Sequence, residues 1–244
     1  MKHTRLLAGT LCVAAALAAQ GVFGAGFGIY EGSARGNAMG TEVTADPASP
    51  SVLYNNAAAM TELEGTQVEA GATFIRPHVT VVTLTPAGAV DNKAESRWWT
   101  PPHAYVTHQV NDKIWAGLGV FSRFGLGVDH DDDWLGRYNC QEATIQSIDV
   151  NPSVAFKVMD TLSLAAGLRA EWFEFALDQA LPTGTPFVDP DLQFHMKGDS
   201  WGIGYNLGAF FQASEWLAFG LAYESEVDQE VEGTYHVSHP NPAV

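Results

Sequence analysis

The sequence predicts an all-β protein, a transmembrane antiparallel β-barrel, on three observations: alternation with a period of two, a regular asymmetry of connections, and an export signal at the start. The alternation is plainest in WGIGYNLGAFFQ, residues 201–212. Its odd positions are Trp, Ile, Tyr, Leu, Ala and Phe; its even positions are Gly, Gly, Asn, Gly, Phe and Gln. A period of two places each set on its own face of a strand. Further apolar rows are Val68, Ala70, Ala72 and Phe74; Ile114, Ala116, Leu118 and Val120; Ile148 through Val158 by twos; Leu162 through Trp172 by twos; and Leu217, Phe219, Leu221 and Tyr223. A less regular strand falls around 96–108, which makes seven.

The facing rows carry Asp149, Asn151, Lys157, Arg169, Glu171 and Glu224. Charges at strand centres imply a wet interior and an apolar exterior, and a one-residue slip would turn them into lipid, so the pattern also sets the register. The connections alternate in length. Val110 to Lys113, Met159-Asp160 and Ala213-Ser214 read as tight turns, whereas Pro77 to Glu95, Gly127 to Thr144 and Leu177 to Lys197 read as long polar loops. Short turns on one side and long loops on the other are the mark of outer-membrane barrels. The expected location is the outer membrane of a Gram-negative bacterium.

The first residues, MKHTR followed by LLAGTLCVAAALAAQGVFG, give a basic start, an apolar stretch and small residues before a cleavage site near Gly24. Residues 1–24 are therefore read as a signal peptide. The apolar run falls short of the roughly 20 residues a membrane-spanning helix needs. Cleavage removes Cys12 and leaves Cys140 alone, so no internal disulfide framework is expected. The formal charge of −16 becomes two units more negative on losing Lys2 and Arg5. With only 12 Lys and Arg in total and no basic stripe, nucleic-acid binding is excluded.

Residues 25–64 are Gly- and Ala-rich without sustained period, with a short helix expected near Asn56 to Glu62; residues 65–244 carry the strands. AGFGIYEGSARG and SVLYNNAAAMTEL in the first part resemble the opening and the hatch motif of the FadL/TodX-type outer-membrane transporters of long-chain fatty acids and other hydrophobic compounds. WWTPPHAYVTHQVNDKIWAGLGVFSRFGLG is similar to that family's second and third strands, and WGIGYNLGAFFQASEWLAFGLAYESEVDQEVEGTY to its sixth and seventh. The resemblance implies a barrel of fourteen strands, of which seven are present, plugged by an N-terminal hatch and opening sideways at a kinked third strand. By position it implies gating or substrate-binding roles for Asn56 in the hatch and for Ser122, Phe124 and Gly125 at the kink. It also implies passive transport without a cofactor, with a hydrophobic small molecule and outer-membrane lipid as partners. Ala57 stands where the hatch proline is usual. Because seven strands leave two open edges, at several kcal/mol for each unsatisfied backbone group in lipid, the chain is read as the first half of a longer product or as a truncated one.

Arg123 and Arg169 join the candidate site because a carboxylate in an apolar pocket favours a cation; either could instead pair with an acid such as Glu171. Two rival readings are an outer-membrane enzyme acting on lipids, through Ser200 of GDSWG and His195, and a structural or adhesive barrel. GDSWG has the G-x-S-x-G pattern, but a nucleophile elbow needs a strand, a sharp turn and a helix; a loop-to-strand junction is expected instead. DHDDDW, residues 129–134, begins like a calcium loop but has Trp134 where glycine is needed. GFGIYEG lacks the preceding strand of a dinucleotide site, and His236 and His239 are a lone pair. No catalytic, metal or cofactor site is expected.

Overall fold

Pro152 stands in the middle of a long strand, where it has no N–H for the ladder, and how the chain accommodates it illustrates the whole wall. A computed structural model describes residues 28–40, 44–187 and 190–239; the signal reading for 1–24, including Cys12, lies outside them. The elements are α1 (Ala34–Met39), α2 (Val52–Asn55), a 3-10 helix (Ala57–Glu62), and strands β1 (Thr66–Ala72), β2 (Thr80–Thr85), β3 (Gly88–Lys93), β4 (Pro102–Asn111), β5 (Ile114–Phe121), β6 (Gly125–Asp129), β7 (Glu142–Met159), β8 (Leu162–Pro182), β9 (Asp191–Ser214), β10 (Leu217–Glu224) and β11 (Glu232–Ser238). No described helix is long and apolar enough to cross a membrane, a statement that does not bear on strands.

The wall is the antiparallel path β1-β4-β5-β7-β8-β9-β10, with β6 continuing beside β7 and β11 beside β9; β2 and β3 form a separate hairpin. These are the seven strands expected. In the β7–β8 register Val150 faces Ala170 and Ser153 faces Gly167, so Pro152 falls opposite Leu168. The Leu168 carbonyl instead accepts from Asn151 Nδ2 at 2.6 Å. A side-chain amide from the inner face supplies the donor that proline lacks, which is how a proline survives within a paired strand.

The apolar rows point outward: Val154, Leu168, Trp201, Ile203, Leu207 and Leu221 are all exposed. Such a continuous apolar belt is what a barrel turns toward hydrocarbon. The inner face is not the wet interior expected. Asp149, Asn151, Arg169 and Glu171 are buried there, because the N-terminal segment fills the concavity. Leu53, Tyr54, Ala58 and Met60 from α2 and the 3-10 helix pack on Tyr105, Trp115, Phe121 and Phe210 from the wall. Trp115 Nε1 donates to the Leu63 carbonyl at 2.8 Å, and the Thr61 and Ser163 hydroxyls meet at 2.7 Å.

Three boundaries differ from expectation. The region Leu177 to Lys197 is mostly paired strand, since β8 runs to Pro182 and β9 starts at Asp191. Backbone pairing continues past the apolar belt, with Phe173, Phe175 and Leu177 on β8 and Leu192, Phe194 and Met196 on β9 among the paired residues. At about 3.3 Å per residue the 24 residues of β9 reach roughly 80 Å, far beyond the ~10 residues that cross a bilayer. The last tight turn lies at Glu215-Trp216 rather than Ala213-Ser214. The short helix expected near Asn56 to Glu62 is the 3-10 helix Ala57–Glu62 with Asn56 as its N-cap, and α1 and α2 lie ahead of it where no helix is expected. In the first tight turn Asn111 Oδ1 accepts from the N–H groups of Lys113 and Ile114 at 2.9 and 3.0 Å, a side-chain-stabilised turn.

Candidate functional site

The wall breaks between β5 and β6. Phe121 is paired with Asp149 and Gly125 with Gln146, so Ser122, Arg123 and Phe124 oppose only Ser147 and Ile148. This is a β-bulge, which bends a strand and frees backbone groups. Ser147 meets them: its hydroxyl accepts from Phe124 N at 3.0 Å and Arg123 N at 3.3 Å, and its N–H donates to the Phe124 carbonyl at 2.8 Å. The Arg123 carbonyl accepts from Ile29 N at 2.7 Å, and Gly28 bridges Phe124. The N-terminal segment therefore lies as a short strand along the break.

Past Phe121 the neighbouring β4 has no partner strand for β6. Its entry is Pro101-Pro102, two residues with no N–H to offer. A cavity of about 330 Å³ opens there, lined by Trp99, Pro101, Ser122, Phe124, Gly125 and Trp172. A second cavity of about 500 Å³ lies on the other side, with Ile29, Tyr54, Arg123, Phe124, Glu224 and Val227 in its lining. Phe124 belongs to both. Gly125 packs under Ile29: a Cβ there would come to 3.1 Å from Ile29 Cδ1.

Asn56 holds the N-terminal segment to the wall. Its Nδ2 donates to the carbonyls of Thr44 at 2.8 Å and Ala209 at 3.0 Å, while Oδ1 caps the 3-10 helix from Ala58 N at 3.2 Å. Tyr54 Oη donates to the Ile29 carbonyl, and burial pushes this phenol up to about 12.

Both candidate arginines are held by acids. Arg169 donates to Asp149 Oδ1 at 3.0 Å and to Glu171 Oε2 at 2.9 Å. Arg123 Nη2 donates to the Tyr54 carbonyl and to Glu224 Oε1, each at 2.6 Å, with its guanidinium over the Tyr54 and Phe121 rings. Glu224 Oε2 lies 3.6 Å from Arg169 Nη1, so this carboxylate joins the two cations. Sequence reasoning placed Asp149, Glu171 and Glu224 on the inner face but did not assemble them with both arginines.

Strand seven also departs from the wall. β10 pairs with β9 up to Glu224 opposite Asn206, and β11 resumes with Glu232 opposite Asp199. The residues between bend inward, with Val227 over Gly202 and Gly204. These glycines are seats for the bend, and Gly208 is the seat for Asn56 Oδ1.

The enzyme motif resolves differently from expectation as well. Ser200 is within β9, not at a loop-to-strand junction, and its hydroxyl donates to Gln229 Oε1 at 2.6 Å. His195 lies on the opposite face of the same strand, 3.0 Å from Asp178. Ser200 and His195 do not meet. His236 falls opposite His195 rather than beside His239. In the DHDDDW region Asp129 is on β6 and paired with Arg97, and His130 stacks on Trp134 at 4.1 Å. Cys140 is a free thiol, pushed upward by burial.

An antiparallel wall with an apolar exterior, a polar inner face and a filled concavity defines the outer-membrane class of β-barrel wall. Residues 15–244 match the outer membrane protein transport protein family (OMPP1/FadL/TodX), and the chain belongs to that family. Among its relatives are the long-chain fatty acid transport protein of Escherichia coli O6:H1, 28% identical over 95% of this chain and 57% of the relative, and a 47 kDa outer membrane protein of Pasteurella multocida, 27% identical over 96% and 56%. Solved structures with the same fold include a Pseudomonas aeruginosa FadL homologue, with a TM-score of 0.70 and 22% identity over 88% of this chain and 56% of that one. The Ralstonia pickettii toluene transporter TbuX superposes with a TM-score of 0.68 at 20% identity over 88% and 61%. The chain thus spans little more than half the length of the relatives it matches.

Proposed function

We propose that this chain serves passive transport of hydrophobic molecules, long-chain fatty acids first among them, across the outer membrane, with no cofactor and no chemical step. The observation that carries the reading is the break at Ser122–Phe124, which the N-terminal segment covers through Ile29 and which separates an inner from an outer cavity at Phe124. In this reading residues 25–64 are the hatch and 65–244 the barrel wall. A ligand loads among the outer loops and enters the inner cavity beside Arg123 and Arg169. The hatch, anchored by Asn56, withdraws Gly28-Ile29 from the bulge; Phe124 then turns aside, and the ligand leaves past Ser122 and Gly125 into outer-membrane lipid. Burial of apolar ligand surface, at about 25 cal/mol per Å², draws the molecule into the pocket, and lipid offers the same gain at the exit. With Ala57 in place of a hatch proline, the turn after Asn56 is held by the Asn56 side-chain cap on Ala58 N and by the Ala59 N–H to the Asn56 carbonyl.

Labelled oleate uptake by cells expressing the complete gene, compared with cells lacking it, tests the reading. Faster uptake supports it, and equal rates refute it.

A further inference from the structure

Glu224 differs from the other two acids of the buried cluster in ways that suggest a separate task. Asp149 and Glu171 have side chains 0% and 4% exposed, whereas that of Glu224 is 30% exposed and borders the inner cavity. It is the last residue of β10, at the point where the chain leaves β9 and bends inward. Its two oxygens reach two different cations, Arg123 at 2.6 Å and Arg169 at 3.6 Å. Without it, Arg123 would keep no carboxylate nearer than Asp149 Oδ2 at 4.0 Å. Arg123 Nε and Asp149 Oδ2 already lack hydrogen-bond partners. Away from this charged end the lining includes the apolar side chains of Ile29, Phe124, Ala222 and Val227, interspersed with Thr44, Asn55, Ser225 and Glu226.

A site with two guanidinium groups at one end and apolar side chains beyond fits an amphiphile with a carboxylate head and a hydrocarbon tail. We propose that Glu224 is an internal stand-in for that carboxylate: an incoming carboxylate displaces it from Arg123 and Arg169, and the displaced Glu224 frees the inward bend that follows it. The inference rests on the transport reading and adds to it a selection for anionic amphiphiles. A tethered carboxylate competes at high effective concentration, so it lowers the apparent affinity for acids and leaves neutral ligands unaffected. It also gives Arg123 a close carboxylate partner while the site is empty.

The test uses the full-length protein in detergent, with oleate and methyl oleate as probes. Replacing Glu224 by Gln keeps the shape and removes the competing charge. The apparent Kd for oleate is expected to fall about tenfold, equivalent to about 1.4 kcal/mol, while methyl oleate binding stays the same. Glu224→Asp, which draws the carboxylate back by one methylene, is expected to give a smaller fall in the same direction, and heat-modifiable migration reports whether each variant is assembled. Unchanged or weaker oleate binding in assembled Glu224→Gln overturns the proposal, as does an equal gain for both probes, which would mean only a roomier cavity. If neither probe binds wild type or variants, the transport reading fails with it.

Discussion

Asn56 and Gly208 form a side-chain-to-backbone joint between the N-terminal segment and the wall: Asn56 Oδ1 lies where a side chain at position 208 would have to go, and Asn56 Nδ2 donates to the next carbonyl along, Ala209, at 3.0 Å. The joint requires both an amide of this length and no side chain opposite it. Asn56→Ala removes a cap and leaves the Thr44 and Ala209 carbonyls without their donor. At about 1–3 kcal/mol for each buried group left unsatisfied, residues 44–63 are expected to open locally. Hydrogen exchange should show faster exchange there with β7–β9 still protected. Gly208→Val is expected to do the same from the wall side, and unchanged protection in both variants would contradict the joint.

Asn151 and Pro152 make a second test, because the amide and the proline compensate each other. Asn151→Ala orphans the Leu168 carbonyl and is expected to lower stability by about 1–3 kcal/mol. Pro152→Ala restores a backbone N–H facing that carbonyl, so the double variant is expected to recover most of the loss. A double-mutant cycle in urea refolding measures the coupling; additive single effects would mean that the side chain is not standing in for the backbone.

The wall was legible because its signal is local: period two, tight turns and exposed apolar rows are each written within ten or so residues. Ser122 to Gly125 could be placed only through the family resemblance; by themselves Gly125 and Gly127 permit a break in the ladder but are equally compatible with a strand end. What the alternation could not convey is which inner-face residues meet across the barrel. Asp149, Arg169 and Glu171 lie on adjacent strands, but Arg123 reaches them from a bulge, and Glu224, 101 residues after Arg123, from the end of β10. The glycines of β9 are silent for the same reason. An inward glycine means space, and only the tertiary structure says whether that space is empty or holds Asn56 or Val227. The extent of β8 and β9 was hidden because the apolar row changes face along each: from even positions to Phe173, Phe175 and Leu177 in β8, and from Leu192, Phe194 and Met196 to the odd positions in β9.

The inward bend gives a third prediction. Gly202 and Gly204 leave room for Val227, and the bend is further held by the Ser225 hydroxyl, which accepts from Tyr205 N at 2.9 Å. Gly202→Leu is expected to push residues 225–231 out of the concavity and raise their protease sensitivity, with β9–β10 pairing from Asn206 to Gln212 retained. The same substitution at Ala209, on the outward face, should leave the bend protected. Equal sensitivity of both variants and wild type would show that the glycines do not seat it.

The last prediction concerns Tyr54, whose hydroxyl donates to the Ile29 carbonyl and so ties α2 to the strand that covers the break. Burial raises its folded-state pKa to about 12 from an ordinary value near 10. A raised pKa means that the folded state holds the proton more tightly than the unfolded one. The stabilisation is therefore complete below pH 10 and is lost as pH rises through the folded value. Ionisation also removes the donor and places an anion among Glu31, Asp149 and Glu224, which oppose it, with Arg123 alone in its favour. Between about pH 10 and 12 the N-terminal segment is expected to loosen reversibly, seen as increased hydrogen exchange or quencher access at Trp115, which packs against the same segment. Tyr54→Phe should cost about 1 kcal/mol at neutral pH for the missing hydrogen bond and should flatten this alkaline transition. An alkaline transition that persists unchanged in Tyr54→Phe would assign it to another group.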